Sequence, residues 1–135
     1  MKILKFFNRK KKEEKKVEAV VRQPSELEIL CGGDKKVYLA LFDTLLLKPP
    51  PKEFSIKGAL EEARQKEEAG DILGVGLCYL LAGQISLFNG DVEGVKTYFG
   101  RYQELTGKKL TILDLGIPER AVEVAKVYYQ KLKTK

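Results

Sequence analysis

The sequence contains no histidine and no tryptophan, and it has one methionine and two cysteines among its 135 residues. Without histidine the chain cannot form a Ser-His-Asp or Cys-His catalytic site, a histidine-ligated metal site or a Cys₂His₂ zinc finger. Cys31 and Cys78 cannot by themselves complete a four-thiolate metal site. We therefore predict a non-enzymatic protein with no catalytic residues, no bound metal and no cofactor.

Apolar residues make up 44% of the chain, which is enough to build a hydrophobic core within the length of one domain. Lysine and glutamate are frequent and methionine is rare, a composition similar to that of proteins from hyperthermophiles. Because intracellular disulfides are common in such organisms, Cys31 and Cys78 could pair. Two separate buried thiols are the simpler expectation, and Cys31 is expected to be unreactive because it follows a helix C-terminus.

Positive charge is concentrated at the start of the chain. Residues 1–16 contain eight of the 25 basic side chains and two of the 19 acidic ones, so the rest of the chain is neutral. A dense cationic segment attracts polyanions, whereas a neutral body exerts no such pull. We call residues 1–23 the basic leader. The residues that we expect to contact an anionic partner are Lys2, Lys5, Phe6, Phe7, Arg9, Lys10, Lys11, Lys12, Lys15 and Lys16.

Three roles fit the composition of the basic leader. The apolar residues at positions 3, 4, 6 and 7 could insert at an anionic membrane, where each neighbouring lysine contributes about 1 kcal/mol. The same cations could neutralise phosphates of RNA or DNA, or the leader could be a disordered solubilising tail. Its apolar stretch is interrupted by Lys5 and is too short for a secretory signal. We therefore expect a cytoplasmic protein, peripheral at the membrane if the first role applies.

After the leader, the sequence predicts a helical domain from residue 24 to residue 135 with about five α-helices. Apolar residues recur at helical spacing, and no stretch alternates as a β-strand does. The three prolines at 49–51 must interrupt the helical pattern. Because the connections are short, neighbouring helices are expected to pack antiparallel in a small bundle. The residues expected to cap helix N-termini are Ser25, Asp34, Ser55, Asp71 and Asp91.

Residues 72–88 contain no charged side chain. As a helix they would be about 26 Å long, at ~1.5 Å per residue, and a membrane-spanning helix needs about 20 residues. Asp71 and Asp91 flank the segment without the lysine and arginine asymmetry that is typical of membrane spans. We therefore predict a buried central helix.

Several residues between positions 79 and 107 occur at the spacings of a known helical repeat. The matching residues are Tyr79, Ala82, Gly83, Gly90 and Phe99. The window therefore resembles one tetratricopeptide repeat. Ser86, Val95 and Gly107 depart from that pattern, where the family has a tyrosine, a small residue and a proline. The resemblance covers about a fifth of the chain, and no second copy lies 34 residues away in either direction.

The resemblance implies two helices that approach closely at Gly83 and a concave surface that binds a peptide or helix of another protein. We thus predict an all-α adaptor with repeat-like packing, which the basic leader docks on an anionic surface or partner complex. The alternative is a small helical subunit associated with nucleic acid or a ribonucleoprotein, with the leader and C-terminal lysines on phosphates. Tyr98, Phe99 and Tyr102 are expected in the core rather than stacked on bases. The partner's identity and the oligomeric state stay open.

Overall fold

The computed structural model describes residues 25–133, which fold into seven α-helices and contain no β-strand. The helices are α1 (Glu26–Leu30), α2 (Lys35–Thr44), α3 (Ile56–Glu68), α4 (Ile72–Asn89), α5 (Val92–Thr106), α6 (Thr111–Asp114) and α7 (Pro118–Lys133). Five of the seven have ten residues or more. The prediction of an all-α helical bundle is confirmed. The basic leader, with every residue expected to contact an anionic partner, lies outside the described residues.

Side chains that accept backbone hydrogen bonds set the starts of the helices. The five predicted capping residues precede α1 to α5 in turn and accept N–H groups of the first helical turn. One example is the carboxylate of Asp71, which accepts the Gly74 N–H at 2.9 Å. Gly90 and Gly107 end α4 and α5 with a φ of 74°, a left-handed conformation that glycine adopts without strain. Local chemistry therefore fixes most of the helix boundaries.

The main core lies among α1, α2, α5, α6, α7 and one side of α4. Its fully buried side chains include Leu41, Leu87, Phe99, Ile112 and Val122, which come from five different helices. A smaller cluster of Ala63, Val75 and Cys78 joins α3 to α4. Since the buried residues of α3 are only Ala59 and Ala63, this helix packs chiefly on α4 at the edge of the bundle.

Three glycines let α4 and α5 approach closely. A methyl group on Gly83 would overlap the ring of Phe99, and one on Gly76 would lie 2.7 Å from the Thr106 side chain. Gly94 lies against Ser86, whose hydroxyl donates to the Ala82 carbonyl at 2.9 Å. Residues late in α4 contact residues early in α5, from the pair Gly76 and Thr106 to the pair Ser86 and Gly94. The two helices therefore run antiparallel, as expected from the sequence. The close approach predicted at Gly83 is confirmed.

The helix α4 occupies the centre of the bundle but is not buried on all sides. It packs against α3, α5 and α7, whereas Leu73 is 65% exposed and Leu77 is 54% exposed. The expectation of a buried helix therefore holds only for the sides that face other helices, because no described element covers the remaining side. Among the described residues, α4 alone is long and apolar enough to cross a membrane, a property that it shares with core helices.

The loop between α2 and α3 is fastened to α7 by two tyrosines. The Tyr128 hydroxyl donates to the Leu47 carbonyl at 2.9 Å, and the Tyr129 hydroxyl donates to the Leu46 carbonyl at 2.6 Å. Burial raises the pKa of Tyr129 well above the usual value for a tyrosine. The three prolines follow these carbonyls and keep residues 45–55 free of helix.

The contact between Gly83 and Phe99 predicts different outcomes for two glycine-to-alanine substitutions. Gly83→Ala should lower the free energy of unfolding by about 1–3 kcal/mol, because the new methyl group overlaps a buried ring. Gly100→Ala is the matched control, since Gly100 lies inside α5 with open space around it. It should raise stability by about 0.5–1 kcal/mol through helix propensity. Urea denaturation measures both, and equal effects would contradict the packing described here.

Candidate peptide-binding groove

A groove of about 520 Å³ lies between α3 and α5, with a tyrosine of α4 between them. We call it the tyrosine groove. The residues that line it are Leu60, Tyr79, Lys96, Thr97, Tyr98, Gly100, Arg101 and Glu104. Six of these eight residues belong to α5, so the position of this helix on α4 determines the shape of the groove.

Two tyrosine rings and an arginine give the groove most of its contact surface. The ring centroids of Tyr79 and Tyr98 lie 6.4 Å apart at an interplanar angle of 30°. The guanidinium carbon of Arg101 lies 6.0 Å from the centroid of the Tyr79 ring, within reach of a cation–π interaction. Tyrosine and arginine are the side chains that protein interfaces favour most, because they combine a large apolar area with hydrogen-bonding groups.

The cations that line the tyrosine groove are paired with carboxylates. Lys96 contacts Glu119 of α7 at 2.9 Å and Glu93 at 3.9 Å, and Arg101 contacts Glu104 at 3.1 Å. The hydrogen bond from Lys96 lowers the pKa of Glu119 and raises the pKa of Lys96. Charges of both signs therefore lie at the edge of the groove. Such a rim suits a mixed peptide better than a polyanion.

The prediction that Tyr98 is buried in the core was wrong. Phe99 and Tyr102 are buried as predicted, whereas Tyr98 is only partly buried and lines the tyrosine groove. On the opposite wall of the groove, α3 contributes a single lining residue, Leu60. The ring of Tyr98 is therefore only partly covered. The pairing of Tyr98 with Tyr79 could not be anticipated because it depends on how α5 is rotated against α4.

A second groove, of about 410 Å³, lies beside α4 and is bounded by α3. We call it the leucine groove. The residues that line it are Glu62, Lys66, Asp71, Leu73, Gly74, Leu77, Cys78 and Leu81. The carboxylates of α3 lie on a solvated face, where Glu61 pairs with Arg64 and Glu62 pairs with Lys66. These ion pairs are typical of an exposed helix surface.

Both cysteines are buried and free, so they do not pair with one another. Burial raises the pKa of the Cys31 thiol, and the nearby carboxylate of Asp34 adds to this rise. Burial also raises the pKa of Cys78, with a further contribution from Glu62. Neither thiol is thereby activated as a nucleophile. Within residues 25–133, no three Cys, Asp or Glu side chains come close enough to hold a metal ion.

A smaller hollow of about 290 Å³ marks the basic end of α7. Lys126 and Lys133 line it together with Phe88 and Tyr129, whose rings lie 4.8 Å apart. The sequence indicated a cluster of lysines here but not their juxtaposition with an aromatic floor. In the alternative, nucleic-acid role, this hollow would add a cationic surface to the basic leader.

Comparisons of this chain with protein-family models, with curated proteins and with solved structures find no match. The likeness of residues 79–107 to a tetratricopeptide repeat therefore stays a prediction from the motif residues alone. The evidence on function comes from the chain's own geometry, and above all from the two grooves on either side of α3.

The burial of Cys31 and Cys78 predicts slow thiol labelling. At pH 8 the folded protein should react with a thiol reagent at least about tenfold more slowly than the urea-unfolded chain, since both thiols become accessible only when the structure opens. The absorbance of the chromophore that the reagent releases measures the labelling rates of the folded and the unfolded chain. Rapid labelling of either cysteine in the folded protein would contradict the burial and the raised pKa.

Proposed function

We propose that this protein is a non-enzymatic adaptor that binds a peptide or helix of another protein in the tyrosine groove. The observation that carries this proposal is the open groove with two tyrosine rings and Arg101 on a scaffold of packed helices. A preformed groove costs a binding partner little reorganisation, so even a short segment can bind specifically. The tetratricopeptide resemblance supports the same function.

The composition of the groove suggests what kind of segment it accepts. Leu60 and the two tyrosine rings favour an apolar or aromatic side chain from the partner. Lys96, Arg101 and Glu104 at the rim can exchange their present ion pairs for hydrogen bonds with a polar backbone or with side chains of either charge. We therefore infer a partner segment with one apolar anchor and mixed charge, rather than a uniformly acidic one.

In this proposal the basic leader docks the adaptor on an anionic surface or partner complex. Its net charge of six accounts for the whole formal charge of the chain. The neutral body leaves the leader as the principal cationic segment. Phe6 and Phe7 add apolar contact at a membrane, which gives a cytoplasmic protein that is peripheral at the bilayer.

A second candidate function is favoured by the basic end of α7. Lys126 and Lys133 beside Phe88 and Tyr129 could bind a phosphate backbone together with the basic leader. The protein would then be a small helical subunit of a nucleic-acid or ribonucleoprotein assembly. The two functions differ in which surface is essential, and this makes them separable.

Arg101→Glu should abolish binding of the partner protein in the tyrosine groove, because it removes the cation–π contact and places a carboxylate beside Glu104. Arg64→Glu is the matched control, since Arg64 also pairs with a glutamate three residues away but lines neither groove. A photo-crosslinking residue at Thr97 captures the partner in cells of the native organism. Crosslinks that persist in Arg101→Glu would contradict the proposal.

Deletion of residues 2–16 separates the two roles of the basic leader. Docking on a membrane predicts loss of binding to phosphatidylserine vesicles on deletion, and comparable loss in a Phe6→Ser, Phe7→Ser variant. The nucleic-acid function predicts RNA binding with a steep salt dependence, which Lys126→Gln and Lys133→Gln weaken and the phenylalanine variant does not. Vesicle sedimentation and filter binding measure these affinities. If deletion changes neither the vesicle affinity nor the RNA affinity, the leader has no part in docking.

A further inference from the structure

A third groove, of about 380 Å³, lies between α1 and α2, at the end of the described chain that follows the basic leader. We call it the N-terminal groove. Glu28 and Cys31 line it on the α1 side, and Lys35, Tyr38 and Leu39 line it on the α2 side. Leu39 keeps 50% of its surface exposed, so the groove is open to a further apolar group.

The apolar surface of this groove continues along the outer face of α2. The inner face of α2 is buried in the core through Val37, Ala40, Leu41 and Thr44. Tyr38 and Phe42, one turn apart, have ring centroids 5.9 Å apart, and Phe42 is 68% exposed. An exposed apolar patch beside a groove is typical of a surface that binds another segment.

Acidic side chains border the N-terminal groove on the α1 side. The helix α1 and the turn that follows it contain no basic residue and three acidic ones, Glu26, Glu28 and Asp34. Beyond the effect of burial, Asp34 and Glu28 raise the pKa of the Cys31 thiol in the groove, whereas Arg120 of α7 lowers it. Negative charge therefore predominates on this side, which suits a basic segment.

The basic leader joins the described chain beside this groove. It ends just before Ser25, and Glu28 lies one helical turn further on, about 5 Å along α1. Phe7 precedes Ser25 by 18 residues, a length of chain that can span up to about 60 Å. The apolar residues of the leader can therefore reach the groove. A tether of this kind also holds them near it at an effective concentration of about millimolar.

We propose that the apolar start of the basic leader, residues 3–7, docks in the N-terminal groove of its own chain. In the docked leader the two phenylalanines lie against Tyr38 and Leu39, and the cations at positions 9–12 face the carboxylates of α1. A second copy or a separate partner would have to find the groove without the tether. The same leader residues dock the adaptor on an anionic surface, so the groove and the surface compete for them. This competition rests on the proposed function, whereas the docking itself does not.

A tryptophan in the leader tests the docking, because the chain has no other tryptophan. Phe7→Trp in the full chain should emit at a shorter wavelength than the same chain in urea, since the docked ring is shielded from water. In this background Leu39→Gln should return the emission to that of the unfolded chain, because it places a polar amide in the groove. Leu77→Gln is the matched control and should change nothing, since Leu77 is 54% exposed but lies outside this groove. Circular dichroism checks that both variants keep their helices.

The dependence of the emission on protein concentration identifies the occupant of the groove. Docking within one chain predicts the same emission at every concentration, whereas docking in a second copy predicts a shift as the protein is concentrated. Three results would overturn the proposal. They are an emission of the folded protein equal to that in urea, an emission that varies with concentration, and an emission that Leu39→Gln and Leu77→Gln affect to the same extent.

Vesicle binding tests the competition separately. Leu39→Gln in the otherwise unchanged chain should bind phosphatidylserine vesicles about tenfold more tightly than the wild-type protein, the gain expected when a leader docked in about nine of ten molecules is released. Leu77→Gln should bind as the wild-type protein does. Equal affinities of the two variants would contradict the competition. If none of the three proteins binds vesicles, the membrane role of the leader fails, while the tryptophan emission still decides whether the leader docks in the groove.

Discussion

The structure depends on the close approach of α4 and α5, which the glycines at positions 76, 83 and 94 make possible. Because Gly83 has no side chain, the ring of Phe99 can lie against the backbone of α4 and be fully buried. This contact sets how far α5 stands from α4 and how it is rotated. The separation of the Tyr79 and Tyr98 rings follows from that rotation, so the tyrosine groove exists only if the two helices touch at the glycines.

The helix α3 forms a wall of both grooves. Its Leu60 faces the tyrosine groove, while Glu62 and Lys66 border the leucine groove on the other side. Yet α3 buries little more than two alanines, so it is held far less firmly than α4 or α5. A partner in the tyrosine groove would therefore also stabilise α3.

Much of the fold could be predicted from the sequence because its signals are local. The capping residues from Ser25 to Asp91, the interruption at the prolines and the buried stripe of Phe99 and Tyr102 each depend on a few neighbouring residues. The exposed face of Leu73 and Leu77 and the position of Tyr98 could not be predicted, because they depend on which helices happen to cover α4 and α5. The short helix α6 was also missed, since its start has no side-chain cap. Sites made by several helices leave no pattern along the chain.

Amide hydrogen exchange of the folded protein tests most directly whether α3 packs on an α4–α5 pair that is more stable than α3 itself. Amides in the middle of α4 and α5 should exchange only through global unfolding, while those of α3 should exchange through a local opening of lower free energy. Exchange from α5 that is as fast as from α3, or exchange from all three helices at the same rate, would contradict this account.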